Sequence, residues 1–300
     1  MPAPATRHLA GAALLALPLA FAQQAAAEVH VLSSGGFTAA YKDLVAGCEV
    51  KLGEKVVSAY GASMGAAPDA IPNRLARGEP ADIVILAADA FDKLVKDGKG
   101  AAGTRVDLAR STIGLSVKAG APKPDISTVE ALKKTLMEAK SIAYSASASG
   151  TYLSEELFPK LDPSGQVMAK AKKIFSERVG TIVARGEAEL GFQQVSELLP
   201  IEGLDFVGTL PEEVQRVTVF SAGLAAGSKQ PEAAKKLIAC LGSAEAAPAI
   251  RKNRTGADTG EIGPPTAPTG SNRSRWRGRP SRSRPANRGR PRRRRGACRA

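Results

Sequence analysis

The chain has 300 residues, 43% of them hydrophobic, which is enough for one large domain or two modest ones with packed cores. Its three cysteines exclude a disulfide-rich scaffold. The formal net charge is +13, but residues 256–300 hold 13 arginines against Asp258 and Glu261, so +11 of it belongs to that segment. The body before it is close to neutral, and no nucleic-acid surface is expected there.

Residues 1–27 have the pattern of a secretory signal peptide. Arg7 and His8 precede an apolar run at 9–22, and three alanines at 25–27 supply the small residues of a cleavage site. The run is shorter than the roughly 20 residues that a membrane-spanning helix needs. The sequence therefore predicts export to the periplasm and a mature chain that begins near Glu28, without a membrane span.

Short apolar runs recur along the body, and most of them are followed by a helical pattern. This alternation predicts an α/β fold with parallel sheets and crossover helices. The predicted strands are Val29–Leu32, Lys55–Tyr60, Ile83–Ala87, Ile113–Val117, Ile142–Tyr144, Leu190–Phe192, Phe206–Val207 and Val217–Ala225.

Three of these strands run into small-residue turns that open a helix. The turns read Ser-Ser-Gly-Gly at 33–36, Gly-Ala-Ser-Met-Gly at 61–65 and Ser-Ala-Ser-Gly-Thr at 147–151. A helix start presents unpaired N–H groups and the positive end of the dipole, and glycines let a small anion come close. Each serine could also be an ordinary N-cap. Together the turns predict an anion receptor.

Two further segments follow in the order of a known family. They read Gly-Glu-Pro-Ala-Asp-Ile-Val-Ile at 78–85 and Arg-Gly-Glu-Ala-Glu-Leu-Gly-Phe at 185–192, on either side of Ala-Ser-Gly-Thr-Tyr at 148–152. With the turns above, they make the body, roughly residues 28–252, resemble the molybdate-binding-like periplasmic solute-binding proteins of ABC importers. The order and spacing of the motifs carry the resemblance, since each motif alone is short.

The resemblance implies a type II fold of two lobes, each a mainly parallel sheet flanked by helices, that close on a ligand by a hinge motion. Lobe one would hold 28–108 plus 222–255, and lobe two 109–221. The implied function is capture of a small oxyanion and its delivery to an ABC permease, with no cofactor and no metal ligands. The implied ligand-binding residues are Ser34, Gly35, Ser63, Met64, Ser149, Gly150, Thr151, Arg178, Gln193 and Gln194.

One departure from the family bears on the ligand. Molybdate receptors of this type have a tyrosine where Gln194 stands, next to Gln193. Glutamine donates and accepts, whereas a deprotonated oxyanion needs donors only. Arg178 would suit a carboxylate through paired hydrogen bonds, or it could be an ion-paired surface residue. The ligand is predicted to be molybdate or tungstate, and the alternative is a small organic acid.

The sequence predicts that the protein is not an enzyme. After removal of the signal peptide, His30 is the only histidine, and it lies at the start of the first predicted strand. The chain has no nucleophile elbow, no Walker loop and no clustered Cys/His metal spacing. A Ser-His-acid triad would need that histidine in a cleft.

Cys48 and Cys240 each lie on the apolar side of a predicted helix. They are interpreted as small buried hydrophobic residues, with a disulfide between them as the alternative in an oxidising compartment.

The segment 256–300 is rich in Arg and Pro and too poor in aliphatic residues to bury a core, so disorder is predicted. Its arginines and Trp276 offer an alternative function, nucleic-acid binding. A further hypothesis is that 253–300 are out of frame. When residues 252–257 are written as one compatible set of codons, deletion of a single base changes the encoded sequence to Lys-Thr-Gly-Leu-Glu. That sequence is similar to the ending of family members.

Overall fold

The structure is a computed structural model that describes residues 28–253. The predicted signal peptide at 1–27 and the arginine-rich segment at 256–300 lie outside the described residues, and so do the predictions made for them. Within the described part of the chain, no helix is both long enough and apolar enough to cross a bilayer.

Strands and helices alternate along most of the described chain. The strands are β1 (Glu28–Ser34), β2 (Lys55–Gly61), β3 (Ile83–Ala87), β4 (Val106–Ser111), β5 (Ile113–Lys118), β6 (Ile142–Ser145), β7 (Ala171–Ile174), β8 (Leu190–Gln194), β9 (Leu204–Thr209) and β10 (Thr218–Leu224). The helices are α1 (Gly35–Leu52), α2 (Ile71–Ala76), α3 (Ala88–Lys96), α4 (Val129–Glu138), α5 (Ala148–Tyr152), α6 (Phe158–Leu161), α7 (Gln166–Ala169), α8 (Val179–Ala184), α9 (Val195–Leu198), α10 (Pro231–Leu241) and α11 (Ala247–Lys252).

The strands form two five-stranded sheets flanked by helices. The first has the order β2-β1-β3-β10-β4 and the second the order β7-β6-β8-β5-β9. In each sheet four strands point the same way and one is reversed, β10 in the first and β5 in the second. The predicted two-lobed α/β fold with mainly parallel sheets is confirmed.

The chain passes between the two sheets twice. β4 leads into β5 through Thr112 alone, and β9 returns to β10 through residues 210–217. β4 and β10 pair with each other as antiparallel neighbours. The predicted lobe boundaries, 108/109 and 221/222, fall inside these two strands, and the exact division of the chain between the lobes stays a prediction.

Apolar packing fixes the helices against the first sheet. α1 and α10 cover one face, where Phe37, Tyr41 and Leu237 are fully buried. α3 covers the other face and buries its own Phe91 there. Each such side chain contributes about 1.5–3 kcal/mol relative to exposure. Because α1 is held against the sheet, its first residue, Gly35, has a fixed position beside the second lobe.

A disulfide joins α1 to α10. Cys48 and Cys240 are separated by 192 residues, and their Cα atoms are 6.0 Å apart. Of the two interpretations of these cysteines, the structure has the disulfide. Closing so long a loop restricts the unfolded chain and contributes about 2–5 kcal/mol of stability.

Candidate functional site

A cavity of about 340 Å³ lies between the two sheets. It is found at the carboxyl ends of β1, β2, β6 and β8, the edge where α/β sheets commonly bind ligands. Side chains from both lobes line it. The predicted site residues that the structure brings together here are Ser34, Gly35, Ser63, Ser149, Arg178, Gln193 and Gln194.

Three predicted site residues lie elsewhere. Met64 and Thr151 line a separate cavity of about 290 Å³. Gly150 packs against β6, where an added Cβ would be 1.5 Å from the carbonyl oxygen of Ser145. Successive residues of a helix point in different directions, so α5 turns Ser149 toward the main cavity and its two successors away from it.

Ser34 ends β1 and precedes the 18-residue helix α1. Its side chain makes no capping hydrogen bond, and its hydroxyl oxygen is buried without a hydrogen-bond partner among residues 28–253. The Thr38 hydroxyl instead donates to the Ser34 carbonyl at 2.9 Å. Buried polar atoms are nearly always paired, so the free Ser34 hydroxyl at a helix start marks a place for a polar ligand.

Ser63 also presents a hydroxyl to the cavity. Its Oγ accepts a hydrogen bond from the Ala87 backbone N–H at 3.0 Å, which leaves the hydroxyl proton for a ligand. Its own backbone N–H donates to Ser147 Oγ at 3.1 Å. That bond crosses from the first lobe to the second, and so does the bond from Ser176 Oγ to Asp69 at 3.2 Å. The lobes therefore contact each other at the rim.

The second lobe contributes a cluster of serines after β6. Ser145 and Ser149 share a hydrogen bond of 3.1 Å between their hydroxyls. The Ser147 backbone N–H points at Ser145 Oγ at 3.4 Å. Hydroxyls can reverse the direction of such bonds, so this cluster can offer a proton to an acceptor in the cavity.

Glu197 on α9 is an acidic side chain in this cavity, and the sequence did not predict it as a site residue. Its Oε1 accepts a hydrogen bond from Gln193 Nε2 at 2.9 Å. An added Cβ at Gly35 would be 1.9 Å from this oxygen, so the glycine makes room for the carboxylate. Burial raises the pKa of the Glu197 carboxyl from 4.5 to about 7, against the opposing effects of Arg178 and of the Gln193 hydrogen bond.

Arg178 is the cation that faces Glu197. It immediately precedes α8, and its guanidinium makes no hydrogen bond or salt bridge within the described part of the chain. Its charge nonetheless opposes the increase in the pKa of Glu197. Arg178 is thus not the ion-paired surface residue that the sequence left open, and it can bind an anion in the cavity.

The two glutamines at the end of β8 have different surroundings. Gln193 Oε1 accepts from the Val179 backbone N–H at 3.0 Å, so its amide nitrogen must face Glu197. Gln194 lies among the crossing segments, where its NH₂ faces the Ser111 and Thr112 carbonyls at 3.2 Å and its oxygen accepts from Thr218. Gln194 therefore joins the two crossings in addition to lining the cavity.

The sequence missed Glu197 and Lys42 as cavity residues. Glu197 gave no local signal, because Gln193 lies in strand β8 and Glu197 lies in the following helix α9, so no helical spacing links the two residues. Lys42 was not recognisable, because its Nζ reaches the cavity rim only by lying over the Tyr60 ring, 5.1 Å from the centroid.

Comparison with known proteins agrees with this geometry. The family described as bacterial extracellular solute-binding protein matches residues 29–253. The chain belongs to this family. The predicted resemblance to molybdate-binding-like solute-binding proteins is thereby confirmed.

Two relatives and one solved structure indicate the range of the family. This solute-binding protein is 49% identical over 240 residues to a Pseudomonas protein named aconitate isomerase, across 80% of this chain and 92% of that one. It is 31% identical over 242 residues to the molybdate-binding protein ModA of Azotobacter vinelandii, across 78% and 91%. The solved periplasmic molybdate-binding protein of Azotobacter vinelandii superposes with a TM-score of 0.58 at 19% identity, covering 75% and 97% of the two chains.

The prediction that the protein is not an enzyme is wrong. The relative that is 49% identical over most of the chain is named as an isomerase. The prediction rested on the lack of catalytic histidines and known motifs. A carboxylate that gains a pKa near neutrality through burial, as Glu197 does, leaves no such motif in the sequence.

Proposed function

We propose that this solute-binding protein is an aconitate isomerase, which interconverts the geometric isomers of a small unsaturated tricarboxylate. One observation carries the proposal, the 49% identity to a protein of that name over 92% of its length. The proposed ligand is therefore a small organic acid, which the sequence analysis gave as the alternative to molybdate or tungstate.

The size of the cavity supports a ligand of this kind. Its volume of about 340 Å³ falls within the range of small-molecule sites, about 300–1,000 Å³. A tetrahedral oxyanion of five atoms would leave most of that volume to water. A tricarboxylate would fill more of it and would reach both lobes.

The charges of the cavity also suit carboxylates. Arg178 has a free guanidinium, and Lys42 stands at the rim. Ser34 and Ser63 offer hydroxyl protons on the opposite side. Arginine pairs well with a planar carboxylate, and the neutral donors can bind a second carboxylate without adding charge.

Interconversion of the isomers requires only a shift of one proton and one double bond. Removal of a proton from the methylene carbon lets the double bond move, and return of a proton to the former vinyl carbon gives the same compound with new geometry. Negative charge develops on the flanking carboxylates meanwhile, where fixed donors and a cation stabilise it. No atom is gained or lost.

A second candidate, capture of molybdate, has the 31% identity to ModA in its favour. The size of the cavity weighs against it, because a five-atom oxyanion would fill only a small part of a volume of about 340 Å³.

We also place the protein in the periplasm, as its family membership and its Cys48–Cys240 disulfide favour. Delivery of a bound solute to an ABC permease is the partnership that the family implies. Fractionation of expressing cells tests the location, and recovery in the cytoplasmic fraction alone would contradict it.

The test of the proposed function uses the purified full-length protein. Proton NMR follows cis-aconitate, and thermal unfolding is measured with cis-aconitate, trans-aconitate, molybdate or tungstate. The proposal expects appearance of the trans isomer and an increase in Tm with aconitate, since a ligand that binds only the native state stabilises it. Stabilisation by molybdate alone, without turnover of aconitate, would favour the second candidate.

A further inference from the structure

Few ionisable groups line the cavity, and most of them are held at its rim or in an ion pair. Its ionisable side chains in the described residues are Lys42, Tyr60, Asp69, Glu177, Arg178 and Glu197. Lys42 and Tyr60 stack at the rim, Asp69 accepts from Ser176 at the contact between lobes, and Glu177 is paired with Arg185. Guanidinium groups stay charged in proteins. Glu197 is the group that remains.

The position of Glu197 is fixed from two sides. Gln193 Nε2 donates to its Oε1 at 2.9 Å, and the Gly35 backbone lies directly against the same oxygen. The amide of Gln193 cannot turn around without losing the 3.0 Å bond from the Val179 N–H to its oxygen. The carboxylate therefore stands in one place, in the same cavity as the unpartnered Ser34 hydroxyl and within electrostatic reach of the Arg178 guanidinium.

We infer that Glu197 is the catalytic acid-base residue of the isomerisation and that Gln193 is the residue that positions it. This inference rests on the proposed function. The ionised Glu197 removes a proton from the methylene carbon of bound aconitate. The electron pair of that C–H bond forms the new double bond, and the old double bond delocalises into a carboxylate. Glu197 then returns the proton to the former vinyl carbon, and its carboxylate is restored.

The electrostatics of the site support a single residue in both roles. A base that must also act as an acid works best when its pKa is near the ambient pH, and burial raises the pKa of Glu197 to about 7. Arg178 opposes part of this effect and would face the charge that develops on the substrate. One carboxylate can serve both carbons because they are attached to the same central carbon.

Glu197→Gln tests the catalytic role in the full-length protein. The variant keeps the size of the side chain and removes the base, so kcat is expected to decrease by about a hundredfold to ten-thousandfold. Binding of trans-aconitate, measured by calorimetry, is expected to change much less. Glu156→Gln is the matched control, because Glu156 is an exposed carboxylate paired with Arg216, and its kcat is expected to equal the wild-type value.

The outcomes separate the inference from the proposed function. An active wild type with a Glu197→Gln variant within tenfold of its kcat would overturn the inference alone. A wild type that does not interconvert aconitate would overturn the proposed function and the inference with it.

Gln193→Met tests the positioning role through the pH profile. Loss of the donor to Glu197 is expected to raise the pKa of the carboxyl, so the acidic limb of the kcat profile should move to higher pH. A residue with only a structural role would lower kcat equally at every pH, and that result would overturn the assignment of Gln193.

Discussion

The two sides of the cavity differ in kind. The first-lobe wall, formed by Ser34, Gly35 and Ser63, contains neutral donors and backbone. The second-lobe wall, formed by Arg178, Gln193 and Glu197, contains a cation, an amide and an acid whose pKa lies near neutrality. Ser34, Gly35 and Ser63 carry no ionisable side chain, so this wall can only recognise a ligand. The second wall can change its charge, so the chemistry belongs there.

Among the substitutions that test this difference between the walls, Arg178→Met should have the largest effect, because it removes the positive charge of the second-lobe wall. Loss of one partner of a charge pair that becomes buried on binding costs about 2–5 kcal/mol, so the affinity for trans-aconitate should fall by that amount in calorimetry when Arg178 no longer faces the ligand carboxylate. Arg185→Met is the control, since Arg185 is exposed and bound to Glu177 and Glu187. Equal affinities for the wild type and Arg178→Met would contradict a role of the second wall in binding.

Glu197→Gln should change how stability depends on pH. The folded pKa of Glu197 is raised above the unfolded value of 4.5, so its own contribution to the free energy of unfolding is largest below pH 4.5 and decreases until the pH exceeds about 7. The variant lacks this decrease, which corresponds to about 3 kcal/mol. Urea denaturation of the ligand-free proteins at pH 5 and pH 8 measures it. A wild type and variant with parallel pH curves would show that the carboxyl is not desolvated.

Gly35→Ala should disrupt the contact between Gly35 of the first-lobe wall and Glu197 of the second-lobe wall. The new methyl group would be 1.9 Å from Glu197 Oε1, so the carboxylate must leave its position and kcat should decrease by about a hundredfold. Gly47→Ala is the matched control on the same helix, because an added Cβ there meets nothing within 4 Å. Its kcat should be unchanged and its stability slightly increased. If the Gly35→Ala protein were fully active, Glu197 would not be a catalytic residue.

Ser34→Ala should have the smallest effect, because it removes one neutral donor from the first-lobe wall. We expect the affinity for trans-aconitate to fall by about 1–3 kcal/mol. The ligand-free protein should become no less stable, since the buried Ser34 hydroxyl has no partner among residues 28–253 to lose. Ser154→Ala, outside the cavity, is the control for binding. A loss of stability without a loss of affinity would show that Ser34 has a structural role and does not bind the ligand.

Most of the fold could be predicted from the sequence because its central strands are continuous apolar runs. β3, for example, was predicted with its observed bounds, and all five of its residues are buried. β4 and β7 were missed. Each lies at the edge of its sheet, and each carries charged residues, such as Arg110 in β4 and Lys172 in β7. Edge strands need fewer apolar residues, so the pattern that identifies a strand is weak there.

Residues on both walls of the candidate site could be predicted from the sequence, but its acid could not. The neutral donors were predictable, because serines beside glycines at helix starts form a local pattern that Ser34 and Ser63 fit. Glu197 was not predictable, because its pKa depends on burial against Gly35, which is 162 residues away in sequence. Helical direction explains why Gly150 and Thr151 lie away from the main cavity, since local sequence did not fix which side of α5 would face it.

The bond between Cys48 and Cys240 turns residues 48–240 into a covalent ring that includes every strand of the second sheet. A protease that cuts this ring once leaves a single molecule, and its two pieces separate on a gel only after reduction. The enclosed lobe can therefore be nicked in an exposed loop without being released from its partner lobe.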